Sequence, residues 1–143
     1  MARIRTIKPK SWDDVKIGKL SRDARLLYIG MWNIADDLGV IIAEPQWIKS
    51  KVFPFDQLQL QQLVSMLTML ETNGFISHFS YNGENFYYLP TFSRHQKIDK
   101  PNVDDVNVDK DALQDIISNI TEQSSNNRRT IVAYKRKRKG KGI

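Results

Sequence analysis

The chain has 143 residues, which suits one domain of ordinary size plus a tail, and its 41% apolar and 27% charged content is that of a globular protein. It has no cysteine, which excludes disulfides, thiolate nucleophiles and cysteine-ligated zinc, and its two histidines, His78 and His95, are poor material for a metal site. The net charge of +6 is unevenly placed, at +4 over residues 1–10, −3 over 11–93, +2 over 94–100, −5 over 101–127 and +8 over 128–143.

Residues 3–7 alternate polar and apolar, as in a short strand or extended arm that Pro9 stops. Ser11 opens a short helix over 11–19, with Trp12, Val15 and Ile17 as its expected apolar contacts. Ser21 suits the N-cap of a stronger helix over 22–35, where Ala24, Leu27, Met31 and Ile34 recur at helical spacing. Asp36-Asp37-Leu38-Gly39 ends it in a turn, and Val40-Ile41-Ile42 is a minimal strand. Glu44-Pro45 starts another helix, burying Trp47, Ile48 and Val52, before a tight apolar-lined turn at Phe53-Pro54-Phe55-Asp56.

Asp56 is expected to cap a helix over 57–72, with Gln59 at its third position. Leu60, Leu63, Val64, Leu67 and Leu70 read as its apolar stripe, and Asn73-Gly74 closes it. Residues 75–81 and 85–89 read as two aromatic-rich strands joined at Asn82-Gly83, a strong hairpin signal. After Pro101 the composition turns polar, although Leu113, Ile116, Ile117 and Ile120 still mark one face of a helix over 110–120.

The order helix, short strand, short helix, turn, longer helix, strand, turn, strand is that of a winged helix-turn-helix. The expected architecture is therefore α+β: a winged-helix domain over 1–100, an acidic connector with a short amphipathic helix over 101–121, and a disordered polybasic tail over 122–143.

In such folds the second helix of the pair enters the major groove. With the leucine stripe inward, Gln57, Gln61, Gln62 and Ser65 are available to base edges, since glutamine can pair bidentately with adenine. Leu58, Met66 and Met69 form an outward apolar set that suits a protein contact instead. No Lys or Arg lies between Asp56 and Asn73, and the hairpin tip ends in Glu84, so phosphate contacts are expected from elsewhere. The candidates are Arg3, Arg5, Lys8 and Lys10 in the N-terminal arm, Lys49 and Lys51, and the strip Arg94, His95, Lys97 and Lys100. The run Lys135, Arg136, Lys137, Arg138 and Lys139 adds a polycation suited to counterion release from a nucleic acid.

Trp12, Trp32 and Trp47 fall within helical patterns and are expected in the core rather than stacked on bases. No Gly-rich phosphate loop, nucleophile elbow or metal-binding histidine pair is present, so no enzyme activity, cofactor or metal is expected. The basic start lacks the apolar stretch of a secretory signal, and no run of about 18 apolar residues suggests a membrane span.

The segments MARIRTIKP, LSRDARLLYIGMWNIADDLGV, IKSKVFPFD and SRHQKIDKP, in this order over about residues 1–102, resemble the N-terminal domain of phage replication-initiation or replisome-organiser proteins. The resemblance implies a winged-helix domain that binds duplex origin DNA in the cytoplasm of a bacterial host and helps recruit replication partners. Its relatives usually continue into a region that engages the helicase machinery, whereas only about forty residues follow Pro101 here. That pattern suits a stand-alone accessory or a protein turned against a host factor. A protein-interaction module of the same fold stays open as the alternative. It would form a homodimer or bind a replisome or host protein through Leu58, Met66 and Met69 or through Leu113, Ile116, Ile117 and Ile120.

Overall fold

The computed structural model describes residues 3–98, 101–102 and 104–121. Two four-residue helices, α1 (Lys10–Asp13) and α2 (Val15–Gly18), replace the single helix expected over 11–19. Asp14 is the reason: its extended backbone breaks the helix, and its carboxylate accepts from the Lys16 and Ile17 N–H groups as the N-cap of α2. Only Ile17 of the three expected contacts is buried; Trp12 and Val15 are 67% and 71% exposed.

The central helix α3 (Arg22–Ile34) starts at Ser21, whose hydroxyl accepts from the Ala24 N–H at 3.2 Å. It buries Ala24, Leu27, Tyr28, Met31 and Trp32, the middle of the core. Gly30 permits the close approach of α4 (Pro45–Val52): a Cβ there would sit 2.7 Å from Val52 Cγ1. Past α3 the chain turns on Asp36, whose Oδ1 accepts from the Leu38 and Val40 N–H groups, with Gly39 at φ +82° completing the turn. The turn leads into β1 (Val40–Ile42).

The helix α5 (Leu60–Thr72) begins three residues later than expected. Gln59 takes the N-cap position and Gln62 Oε1 accepts from its N–H at 2.9 Å, so the reciprocal cap lies at Gln59 and Gln62 rather than at Asp56 and Gln59. The buried face is Leu63, Met66, Leu67 and Leu70, while Leu60 and Val64 are exposed, a rotation from the expected stripe. The delayed start lets Leu58 pack against the core from a non-helical stretch.

The strands β2 (Ser77–Tyr81) and β3 (Glu84–Tyr88) form the expected hairpin, with Asn82 at φ 52° and Gly83 at φ 78°. β1 pairs with β3, giving an antiparallel sheet in the order β1-β3-β2, with Phe79 opposite Phe86 and Ile42 opposite Phe86 on the other edge. A short helix α6 (Phe92–His95) follows that the sequence pattern does not announce.

The compact unit extends to Val108, beyond the boundary expected at residue 100. Asp37 Oδ2 accepts from the Asn102 N–H, and Asp36 Oδ2 accepts from both the backbone and the side-chain N–H of Asn107. The second unit is Asp109–Ile143, in which residues 110–121 are helical and Asp109 accepts from the Ala112 N–H at 3.4 Å. Lys100 and the expected tail over 122–143 lie outside the described residues.

Candidate nucleic-acid interface

The N-terminal arm is not a free basic strand. Arg5 donates from Nε to the Trp32 carbonyl at 3.0 Å and from Nη2 to the Ala35 carbonyl at 2.8 Å, and pairs with Asp37 at 3.1 Å. These are carbonyls that the last turn of a helix leaves without internal partners, and a cation there also suits the helix dipole. The Arg5 guanidinium is only 6% exposed and lies over the Phe92 ring, so it is a structural anchor and not a phosphate contact. Arg3 is likewise occupied, pairing with Asp37 and Asp105 at 3.4 Å each. Burial raises the affinity of the Asp37 carboxyl for its proton, but the Asn102 N–H, Arg5 and Arg3 outweigh it and hold the group below its ordinary value.

The same arm is tied to the chain after the hairpin. Thr6 N–H donates to Gln96 Oε1 and Gln96 Nε2 donates back to the Thr6 carbonyl, both at 2.8 Å. Lys8 Nζ donates to the Arg94 carbonyl at 2.6 Å. Two basic strips far apart in sequence thereby share one cleft of about 510 Å³, lined by Lys8, Lys10, Ser11, Asp14, Arg94 and His95 among others. Asp14, Arg94 and His95 also line an adjoining cleft of about 410 Å³, which runs past Val15, Lys16 and Tyr28 to Asn73 and Gly74.

His95 forms the wall between the two. Its ring stacks on Trp32 at 4.6 Å between centroids and 19° between planes. Its Nε2 lies 3.5 Å from the Tyr28 hydroxyl, which also bonds Thr91 at 3.2 Å. Burial pushes the imidazole below its ordinary 6.5; Asp14 pulls it back, and Lys8 and Arg94 push it down again. The imidazole is therefore neutral at neutral pH and contributes shape and hydrogen bonding rather than charge. Burial also raises the Tyr28 hydroxyl.

The remaining sequence candidates divide into three groups. Lys97 is exposed just beyond α6, and Lys51 is exposed and Lys49 half-buried in the last turn of α4. Gln61 and Ser65 are exposed on α5, where Thr68 and Thr72 continue the same side at helical spacing. Gln57 is exposed in the non-helical stretch, and Gln62 is engaged in the cap. Because Asn73 and Gly74 border the second cleft, which Lys16 and Arg94 also line, the start of the 13-residue α5 lies about 20 Å away along its axis. The glutamines and the cations are thus at opposite ends of that helix.

Of the expected protein-contact set, Met66 is 8% exposed and belongs to the core, as does half-buried Leu58; only Met69 faces outward. This follows from the rotated face of α5. Leu113, Ile116, Ile117 and Ile120 share one side of the helix over 110–121 by their spacing. Lys100, Lys135, Arg136, Lys137, Arg138 and Lys139 lie outside the described residues.

Trp32 is in the core as expected and Trp47 packs against it, but Trp12 is two-thirds exposed beside a small cavity next to Ser11, where residue type alone gave no warning. The signal was Asp14, a helix-capping residue two positions on that cuts the expected helix short. His78 bonds Asn85 Oδ1 at 3.1 Å on the exposed side of the hairpin. Among the described residues no cluster of three His, Cys, Asp or Glu side chains is placed to hold a metal ion, and no helix is long and apolar enough to cross a membrane. Comparison with family models, with curated proteins and with solved structures finds no match to this chain.

Proposed function

We propose that this chain is a winged-helix protein of phage type that binds duplex DNA in replication initiation or its regulation. The observation that carries the reading is the junction of arm and post-hairpin segment, which gathers Lys8, Lys10 and Arg94 around one cleft with Asp14 as the only acid among the described residues that line it. Asp14 Oδ1 accepts from two α2 N–H groups, and among the described residues no ion pair joins Asp14 to Lys8, Lys10 or Arg94, so the three cations outnumber it and suit an external anion. The order α3-β1-α4-α5-β2-β3, with β1 on β3 and a two-residue hairpin turn, supports a winged helix. The resemblance of residues 1–102 supports the replication context.

In this reading affinity and specificity have different sources. Lys8, Lys10 and Arg94, with the polybasic residues 128–143, supply sequence-independent attraction. The neutral side of α5, with Gln61, Ser65, Thr68 and Thr72, supplies hydrogen-bonding groups for base edges. Residues 101–121 act as an acidic connector.

The test is duplex binding by fluorescence anisotropy over a salt series. It compares the full chain, the double reversal Lys10→Glu/Arg94→Glu, and a chain with Lys135, Arg136, Lys137, Arg138 and Lys139 all changed to Gln. Each lost phosphate contact is expected to lower the log–log salt slope by about 0.9, so both variants should flatten it. If the double reversal binds like the parent while the tail variant does not bind, the folded unit does not read DNA and the proposal fails.

A second reading has one observation in its favour. Phe55 is 97% exposed in the turn before α5, and Leu60 and Val64 are exposed on the helix that follows, an apolar set suited to a protein contact. On that reading Phe55→Ser changes the sedimenting mass or abolishes capture of a partner and leaves duplex binding untouched.

A further inference from the structure

A tryptophan is seldom left two-thirds exposed, because its indole is the largest apolar side chain the protein has to hide. Trp12 is 67% exposed, and Val15, three positions on, is 71% exposed. Neither is on a frayed end. The Trp12 N–H donates to the Pro9 carbonyl at 3.2 Å, and Asp14 caps α2 between the two side chains. Trp12 borders a small cavity that Arg25, Ile29 and Trp32 also line.

The neighbouring cleft is cationic. Ser11 lines both the small cavity beside Trp12 and the cleft of Lys8, Lys10 and Arg94, so Trp12 follows directly on the residues that line that cleft. Val15 and Lys16 line the adjoining cleft, again with Arg94. An apolar protein partner would have to desolvate these cations, whereas a nucleic-acid strand brings a π-face and phosphates together. Aromatic rings beside a positively charged groove are the usual means of holding unpaired bases.

We propose that Trp12 is a stacking platform for an unpaired nucleobase whose flanking phosphates are held by Lys8, Lys10 and Arg94. This role rests on the nucleic-acid reading above and adds a ligand to it: a base out of the duplex, as at a melted site or a strand junction, rather than a paired one. A purely duplex-binding surface has no use for an indole at that position unless it wedges between base pairs, which also unstacks a base.

The experiment uses the full chain, its Trp12→Ala and Trp12→Phe variants, and the Lys10→Glu/Arg94→Glu double reversal. The probes are a single-stranded oligothymidylate and a fully paired duplex, followed by anisotropy and by quenching of the intrinsic tryptophan fluorescence. Trp12→Ala is expected to weaken oligothymidylate binding roughly 5- to 150-fold, to abolish most of the quenching and to leave the salt slope unchanged, since no charge is lost. Trp12→Phe should restore most of the affinity, and duplex binding should change far less in both. The double reversal should flatten the salt slope on both probes.

If Trp12→Ala binds and quenches like the parent while the double reversal weakens binding, the stacking role is wrong and the nucleic-acid reading stands. If the parent binds neither probe, both fall. If Trp12→Ala leaves both probes unaffected but changes the sedimenting mass, the exposed pair is a contact between copies of the chain, and the proposal is overturned.

Discussion

Arg5 and Asp37, thirty-two positions apart, form an ion pair at 3.1 Å whose side chains are 6% and 5% exposed. The pair locks the N-terminal arm to the end of α3, and Arg5 also serves two carbonyls there. Removing one member of a buried pair strands the other, which typically costs about 3–5 kcal/mol. Asp37→Ala should therefore lower stability by an amount in that range, read as a lower midpoint in urea denaturation. Arg5→Met should cost less, because Arg3 continues to pair with Asp37.

The same pair sets an acid limit. The Asp37 carboxyl is held below its ordinary 3.8 in the folded chain, so its contribution is complete above that value and is lost as pH falls through the depressed one. The unfolding midpoint of the parent should drop in this acid range, and the drop should be shallower in Asp37→Asn. A parallel fall in both proteins would remove Asp37 from the account.

His95 works in the opposite sense to a gained charge. Its folded value lies below 6.5, so the unfolded chain binds the proton first, and stability is complete above 6.5 and lost as pH falls below it. His95→Phe keeps the stack on Trp32 and should remove this loss. On the proposed function, a phosphate in the cleft offsets Lys8 and Arg94 and raises the imidazole, so duplex affinity should increase from neutral pH toward 6 in the parent. In His95→Phe that increase should vanish. An imidazole titration followed by NMR with and without duplex reads the shift directly.

Local chemistry carried the parts of the fold that the sequence made legible. Ser21 before an apolar helix and Asn82-Gly83 between two aromatic strands each act within four residues, and both behave as the pattern predicts. The phase of α5 was not legible, because Leu60, Leu63, Met66, Leu67 and Leu70 allow two overlapping apolar stripes. Which stripe is buried depends on what α3 and α4 present, and no periodicity records that. The cationic site suffered the same blindness at longer range. Lys8, Lys10 and Arg94 were visible as cations, but contacts some ninety positions apart in sequence, the Thr6–Gln96 clasp and the Lys8 bond to the Arg94 carbonyl, bring them together. Arg3 and Arg5 looked identical to them in sequence, and tertiary partners at Asp37 give them a different task.

That clasp can be cut without removing a charge. Gln96 is buried and makes two reciprocal, part-buried bonds to the backbone of exposed Thr6, so Gln96→Leu removes two hydrogen bonds, at about 0.5–1.5 kcal/mol each. Stability should fall by about 1–3 kcal/mol. If the cleft is the phosphate site, duplex affinity should fall as well while the salt slope stays near that of the parent, because every cation is still present but no longer held in register. Unchanged affinity at full folding would mean that the arm and α6 need not be joined for binding.

The two stripes of α5 make a direct contrast. Leu63 and Leu67 are buried on α5, which packs against α3 and α4, and large-to-small changes at such positions cost about 2–5 kcal/mol through lost burial and the cavity left behind. Leu60 and Val64 are exposed, so Leu60→Gln and Val64→Gln should stay within about 0.5 kcal/mol of the parent, the usual range for surface changes. Equilibrium denaturation of Leu63→Ala, Leu67→Ala and the two glutamine variants measures the difference. A large loss in Leu60→Gln would return α5 to the phase that its leucines suggest. Gln61 and Ser65 would stay available to base edges in that phase, but Thr68 would move from the middle of the outward side to its flank.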